Sequence, residues 1–119
     1  MGDTQTGRIE VERPRNVVWR SMSVLAEIPT WYGDWDRCDH DSQHLQVQEG
    51  VRFRLTAGRG PFNRAANCDI ITAQEPALLR WIEHRRLRPP ELVEFRLTAI
   101  SSERTLVTHI KTVGTRPCT

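Results

Sequence analysis

The sequence predicts an α+β domain in which one strand and two helices precede a long antiparallel sheet. Three observations carry this. Val93, Phe95, Leu97 and Ala99 alternate with Glu94, Arg96 and Thr98, the period of two of a strand with one buried and one wet face. Three apolar runs, 78–87, 92–100 and 105–113, are separated by Arg88-Pro89-Pro90-Glu91 and Ser101-Ser102-Glu103-Arg104, where proline and short polar side chains favour reversals. Nearer the N-terminus the period changes: Val18, Met22, Leu25 and Ala26 share one stripe at helical spacing, with Trp19 beside it.

Taken in order, Ile9 and Val11 alternate within 9–12, a first strand stopped by Pro14 and therefore at an edge or a join. Residues 15–26 form a helix that ends on the approach to Pro29. A short second helix over 29–35 has proline in its first turn and Trp31 and Trp35 four apart, although Gly33 weakens it. Residues 36–44 show no apolar period and read as a solvated loop. Strands resume at 45–48 and again at 51–57, where Val51, Phe53, Leu55 and Ala57 alternate with Arg52, Arg54 and Thr56. Gly58-Arg59-Gly60-Pro61 is a dense turn signal, and 63–73 returns with Ala66, Cys68 and Ile70 on one side. Gln74-Glu75-Pro76-Ala77 then leads into the meander, whose hairpin-joined strands run antiparallel.

At 119 residues the chain forms one domain with a single core. Its 38% hydrophobic and 27% charged residues are those of a globular protein, and no apolar run nears the roughly 20 residues that cross a bilayer. Met1-Gly2-Asp3-Thr4-Gln5 carries no secretion signal, so a cytoplasmic location and no membrane partner are expected. A net charge of +2 with scattered basic residues gives no nucleic-acid footprint. Cys38, Cys68 and Cys118 are odd in number and far apart, which suits free thiols better than a disulfide framework.

Several short motifs follow one another along the chain. Residues 8–14, Arg-Ile-Glu-Val-Glu-Arg-Pro, lead into a helix with Val18-Trp19; Trp31, Trp35 and Glu49-Gly50-Val51-Arg52-Phe53 follow. Gln74-Glu75-Pro76 then precedes Leu79-Arg80-Trp81, and Arg104-Thr105-Leu106-Val107-Thr108 closes toward Gly114. In this order, over about residues 8–114, the chain resembles the START-like (SRPBCC) superfamily, specifically its polyketide cyclase/dehydrase and lipid transport members. The resemblance implies a helix-grip fold: a curved antiparallel sheet, N-terminal helices, and an apolar cavity under a long C-terminal helix. Only six residues, 114–119, follow Val113, so that helix is expected to be missing. An uncovered concave sheet would present an apolar contact surface, which points to a homodimer or to closure by another protein.

The resemblance further implies a cyclase, aromatase or dehydratase of polyketide and antibiotic biosynthesis. Such a protein holds a reactive chain so that one ring closure wins, since positioning alone supplies roughly 7–11 kcal/mol. No metal or organic cofactor is called for. The competing reading is a non-catalytic carrier of a lipid or other hydrophobic molecule, and a third is an interaction protein.

Strand parity nominates the cavity lining. Phe53, Leu55, Cys68, Ile70, Trp81, Phe95 and Leu97 point inward, joined on the last strand by Leu106, Thr108 and Ile110. Glu83 and Thr108 are the polar members. A carboxylate at Glu83 would be desolvated, as a general acid or base near neutrality requires; the alternative places it at the rim, in water or paired with Arg85 or Arg96. Trp31, Tyr32 and Trp35 cluster at the mouth, where rings offer contact area and the tyrosine hydroxyl can donate to a developing oxyanion. Either tryptophan could instead plug the core. Tyr32 and Glu83 are thus the candidate catalytic pair.

Weaker signals remain. Asp36 is an exposed loop carboxylate or a base, and Cys38 with His40 and His44 could bind zinc but suits a solvated loop better. His109, opposite in parity to Leu106 and Ile110, reads as a surface histidine. The arginines at 52, 54, 59, 64, 80, 85, 86 and 88 read as an outer face, or as a surface for an anionic partner such as an acyl carrier protein.

Overall fold

The structure, a computed structural model, describes residues 4–113. The expectations about residues 114–119, including the missing helix and Cys118, lie outside the described residues.

One seven-stranded antiparallel sheet makes up most of the fold: β1 (Thr4–Val11), β2 (Arg37–His40), β3 (Arg52–Ala57), β4 (Arg64–Gln74), β5 (Leu78–Arg85), β6 (Glu91–Ser101) and β7 (Arg104–Val113). The spatial order is β1-β7-β6-β5-β4-β3-β2. Strands β2 to β7 form a meander, and β1 returns across the molecule to pair with β7 as the far edge. Two short helices, α1 (Arg15–Met22) and α2 (Ile28–Trp31), fill the connection from β1 to β2. Val18, Trp19 and Met22 of α1 and Ile28 of α2 are buried with the alternate strand residues Phe53, Leu55, Cys68, Ile70, Trp81, Phe95 and Leu97. The core therefore lies between the helices and the concave face of the sheet.

Tertiary pairing overrides local pattern in three places. The helix expected over 15–26 stops at Met22, because the next residues pair with a neighbouring segment: Leu25 N donates to Leu45 O and Val47 N to Ser23 O. That segment is the strand expected at 45–48, reduced to a single bridge between Val24 and Gln46. The loop expected at 36–44 contains β2, which pairs with β3 from Arg37 opposite Thr56 to His40 opposite Phe53. Ladder bonds are backbone bonds, so a short charged edge strand needs no apolar period.

The parity of β7 is the fourth correction. Ser101 sits opposite Arg104 but Ala99 opposite Thr105, so the strand bulges at Ile100. A bulge leaves one residue unpaired and shifts every later pairing by one. Phe95 consequently faces His109 and Leu97 faces Val107, and the inward set is Val107, His109 and Lys111. Leu106, Thr108 and Ile110 lie on the other face. Thr108 pairs with Arg96 there and cannot reach the concave side. No helix among the described residues is long and apolar enough to cross a membrane.

Candidate ligand cavity

A cavity of about 670 Å³ opens on the concave side over β1, β7 and β6. Phe95, Val107 and His109 form its floor; Val18 and Met22 of α1, with Trp31, Tyr32 and Trp35, form the facing wall. From β1 come Gly7, Ile9 and Val11. Gly7 lies opposite His109, and a Cβ placed there would meet nothing within 4 Å, so the missing side chain keeps space open above the imidazole. The volume falls inside the roughly 300–1,000 Å³ of small-molecule sites, and an apolar floor with few polar groups is their usual composition.

Beside this cavity the rings interlock. Trp31 meets Phe95 edge-on at 5.1 Å, Tyr32 meets Trp81 at 5.2 Å, and the His109 imidazole stacks on Phe95 at 4.7 Å with 8° between planes. Such pairs contribute about 0.5–1.5 kcal/mol each beyond the area they bury. They fix the wall before any ligand arrives.

Behind the wall lies a polar cluster centred on Glu83, whose side chain is fully buried. Tyr32 Oη donates to Glu83 Oε1 at 2.8 Å, and Trp81 Nε1 donates to the same oxygen at 3.4 Å. Arg85 Nε and Nη2 each lie 3.0 Å from Oε2, and Lys111 Nζ stands 3.6 Å away. A buried carboxylate survives when paired and hydrogen-bonded, and this one is both. The parity that turned Glu83 inward also turns Arg85 inward, two residues along β5, and the β7 bulge brings Lys111 to the same side. Burial, then the Glu83 carboxylate, pushes the Tyr32 phenol far above its ordinary range, so Tyr32 keeps its proton.

Among the described residues, two buried polar atoms of the cavity lining have no partner: Trp31 Nε1 and His109 Nε2. Buried polar atoms are satisfied in most native structures; these two lie just beneath the surface of residues that line the cavity, unspent hydrogen-bonding capacity beside the hollow. Burial, with Lys111 nearby, lowers the His109 pKa below its ordinary 6.5, while Glu83 opposes the shift; the imidazole is neutral at pH 7. Sequence parity had sent His109 outward. The missing signal was the bulge at Ile100.

Of the residues expected around a ligand, Trp31, Tyr32, Trp35 and Phe95 line the cavity. Phe53, Leu55, Cys68, Ile70, Trp81 and Leu97 point inward as expected but are packed solid, so the β3–β5 half of the interior is core and the hollow lies toward β1. Glu83 is not in the wall; it reaches the cavity only through Tyr32, Arg85 and Lys111. Arg64 and Arg85, grouped with an outer face in the sequence reading, both lie 5.2 Å from the Trp35 ring centroid and line the cavity. Asp36 is exposed and accepts the Gly58 N–H at 2.9 Å, which anchors the turn after β3. Asp41 holds His44 at 2.9 Å, and among the described residues no group of three or more His, Cys, Asp and Glu side chains is placed to bind a metal. Cys38 and Cys68 are free thiols, with burial pushing Cys38 up to about 11 and Cys68 further still.

No family model matches the sequence, and no curated protein matches it at a significant level. Solved structures do. The Zhui aromatase/cyclase from Streptomyces sp. R1128 superposes with a TM-score of 0.77 at 12% identity, over 100% of this chain and 72% of that one. DynU16, a protein in the dynemicin biosynthetic locus, gives 0.72 at 18% identity over 98% of this chain and 39% of that one. A START superfamily protein from Mycobacterium smegmatis gives 0.72 at 11% identity over 98% and 79%. At these identities the likeness speaks to architecture, and it agrees with the topology found here: the chain has the START-like helix-grip α+β fold.

Proposed function

We propose that the chain is an aromatase/cyclase-like protein that holds a hydrophobic polyketide-type substrate in the cavity for ring closure. The observation that carries this is a preformed, mostly apolar hollow with an imidazole in its floor that has no partner among the described residues. Similarity to the Zhui aromatase/cyclase supports the same reading. Ring closure requires removing a proton from an activated methylene, attack of that carbon on a carbonyl, and protonation of the resulting oxyanion. His109 Nε2 takes the first proton and returns it to the oxyanion, to which Trp31 Nε1–H donates a hydrogen bond; both atoms lie just beneath the cavity surface, so each ring turns toward the substrate to act.

Tyr32 and Glu83 enter as a relay. When Tyr32 Oη accepts a proton from a substrate hydroxyl, its own proton can pass to Glu83 Oε1 at 2.8 Å, and the reverse path returns it. Glu83 thereby acts through Tyr32 as a positioning residue. The test is turnover of a poly-β-ketone thioester, followed by the absorbance of the aromatic product. Tyr32→Phe and His109→Gln should each lower kcat by about 10²-fold or more while ligand affinity changes less than threefold. Unchanged turnover in both variants overturns the catalytic reading.

One observation favours a second reading, a binding protein for hydrophobic molecules without turnover. Both oxygens of Glu83 already accept hydrogen bonds, from Tyr32, Trp81 and Arg85, the arrangement of a structural anchor. In that case the purified protein retains an apolar molecule unchanged.

A further inference from the structure

A second chamber of about 370 Å³ adjoins the first and shares Gln5, Arg85 and Lys111 with it. Its remaining lining is Arg88, Pro89, Glu91 and Val113. Two cations, Arg85 and Lys111, thus stand where the apolar cavity meets the side chamber, a third, Arg88, lines the chamber beyond, and much of their hydrogen-bonding capacity is unspent. Arg85 uses Nε and Nη2 on Glu83, which leaves Nη1. Lys111 Nζ stands 3.6 Å from both Glu83 and Glu91, outside hydrogen-bond distance of either. Arg88 is exposed in the β5–β6 turn, and its guanidinium makes no ion pair among the described residues. Among the described residues one carboxylate, Glu91, lines this chamber, and it is matched by Lys111.

We propose that the ligand is a hydrophobic chain ending in an anion, a carboxylate or a phosphate monoester. The chain lies over Phe95 and Val107, and the anion sits in the side chamber between Arg85, Arg88 and Lys111. This rests on the reading that the larger cavity takes a hydrophobic molecule, and it adds the head group. An uncharged end would leave the arginine forks to water, whereas an anion engages them with charge-assisted hydrogen bonds.

The experiment is displacement of the neutral fluorophore N-phenyl-1-naphthylamine by dodecanol, dodecanoate and dodecyl phosphate, all below their micellar concentrations. Both anions should displace it at about tenfold lower concentration than the alcohol, since a hydrogen bond to a charged group contributes roughly 1.5–3 kcal/mol and 1.4 kcal/mol is tenfold. Raising salt from 0.05 to 0.5 M should shrink that preference. Arg88→Gln, at an exposed turn where folding is not at stake, should erase most of it while leaving dodecanol unchanged. The order of the two anions then tells a carboxylate ligand from a phosphate-bearing one. Equal displacement by alcohol and anions, indifferent to Arg88→Gln, overturns the anion chamber and leaves the hydrophobic cavity standing. A fluorophore that never binds overturns both.

Discussion

Removing the carboxylate of Glu83 is the perturbation whose cost the structure specifies most closely. Glu83→Leu puts an apolar side chain against Arg85 and Lys111 and leaves the Tyr32 hydroxyl and the Trp81 indole without an acceptor. Breaking a buried ion pair by deleting one partner costs about 3–5 kcal/mol. Here the cations keep 22% and 18% exposure and can turn partly to water, which argues for the lower end, about 3 kcal/mol. Glu83→Gln keeps an oxygen for Tyr32 and loses only the charge, a cost of about 1–2 kcal/mol. At about 4 °C per kcal/mol for a domain of this size, the Leu variant should melt roughly 12 °C lower. The assay is urea unfolding followed by tryptophan fluorescence, with the slope checked for constancy. Tyr32→Phe should cost less in the Leu background than in the wild type, by about 1 kcal/mol, because the two side chains share one hydrogen bond that Glu83→Leu has already removed. A Leu variant within 1 kcal/mol of wild type, or a Tyr32→Phe cost that is the same in both backgrounds, would refute the view of Glu83 as the anchor of the wall.

Two other expectations follow from burial. His109 favours its neutral form in the fold, so the unfolded chain binds a proton first as pH falls; its contribution to stability is constant above the ordinary imidazole value of 6.5 and is lost as pH drops below it. Imidazole NMR titration should therefore place His109 below 6.5, and His109→Gln should flatten that part of the stability profile; a midpoint at or above 6.5 would contradict the assignment. Cys68 is 1% exposed with its thiol held protonated, so at pH 8 peptide mapping after alkylation should find it unmodified in native protein and modified in urea; labelling at the native rate of a small thiol would place it outside the core.

How much of this was legible beforehand differs by level. Alternation located β3 to β7 and the inward set from Phe53 to Leu97, because half-buried strands write their two faces directly into sequence. It also brought Glu83 into view, while the aromatic cluster with Trp31 and Trp35 pointed to Tyr32, 51 residues away in the chain and 2.8 Å away in the fold. What alternation could not give was counting across a turn. One extra residue at Ile100 inverted β7, hiding His109 and Lys111 and nominating Thr108 in their place. Strand β2 was invisible for a different reason: as an edge, it buries too little to need an apolar face. The position of the hollow was likewise beyond reach, since inward direction does not say whether a side chain fills space or borders it. Trp81 and Phe53, 5.1 Å apart, fill it; Gly7, with open space above its Cα, borders it.

A guest in that open space is the claim on which the functional reading stands, and a fluorescence titration of wild type beside Gly7→Phe tests it most directly. The new phenyl ring would extend over His109 from an edge strand that has room for it, so the fold should hold while the cavity closes. Wild type should bind N-phenyl-1-naphthylamine saturably at one site, with quenching of Trp31 and Trp35, and Gly7→Phe should bind at least tenfold more weakly with unchanged circular dichroism. Equal binding by the two proteins would mean that the fluorophore sits elsewhere and that the hollow over β1, β7 and β6 is not where a ligand goes.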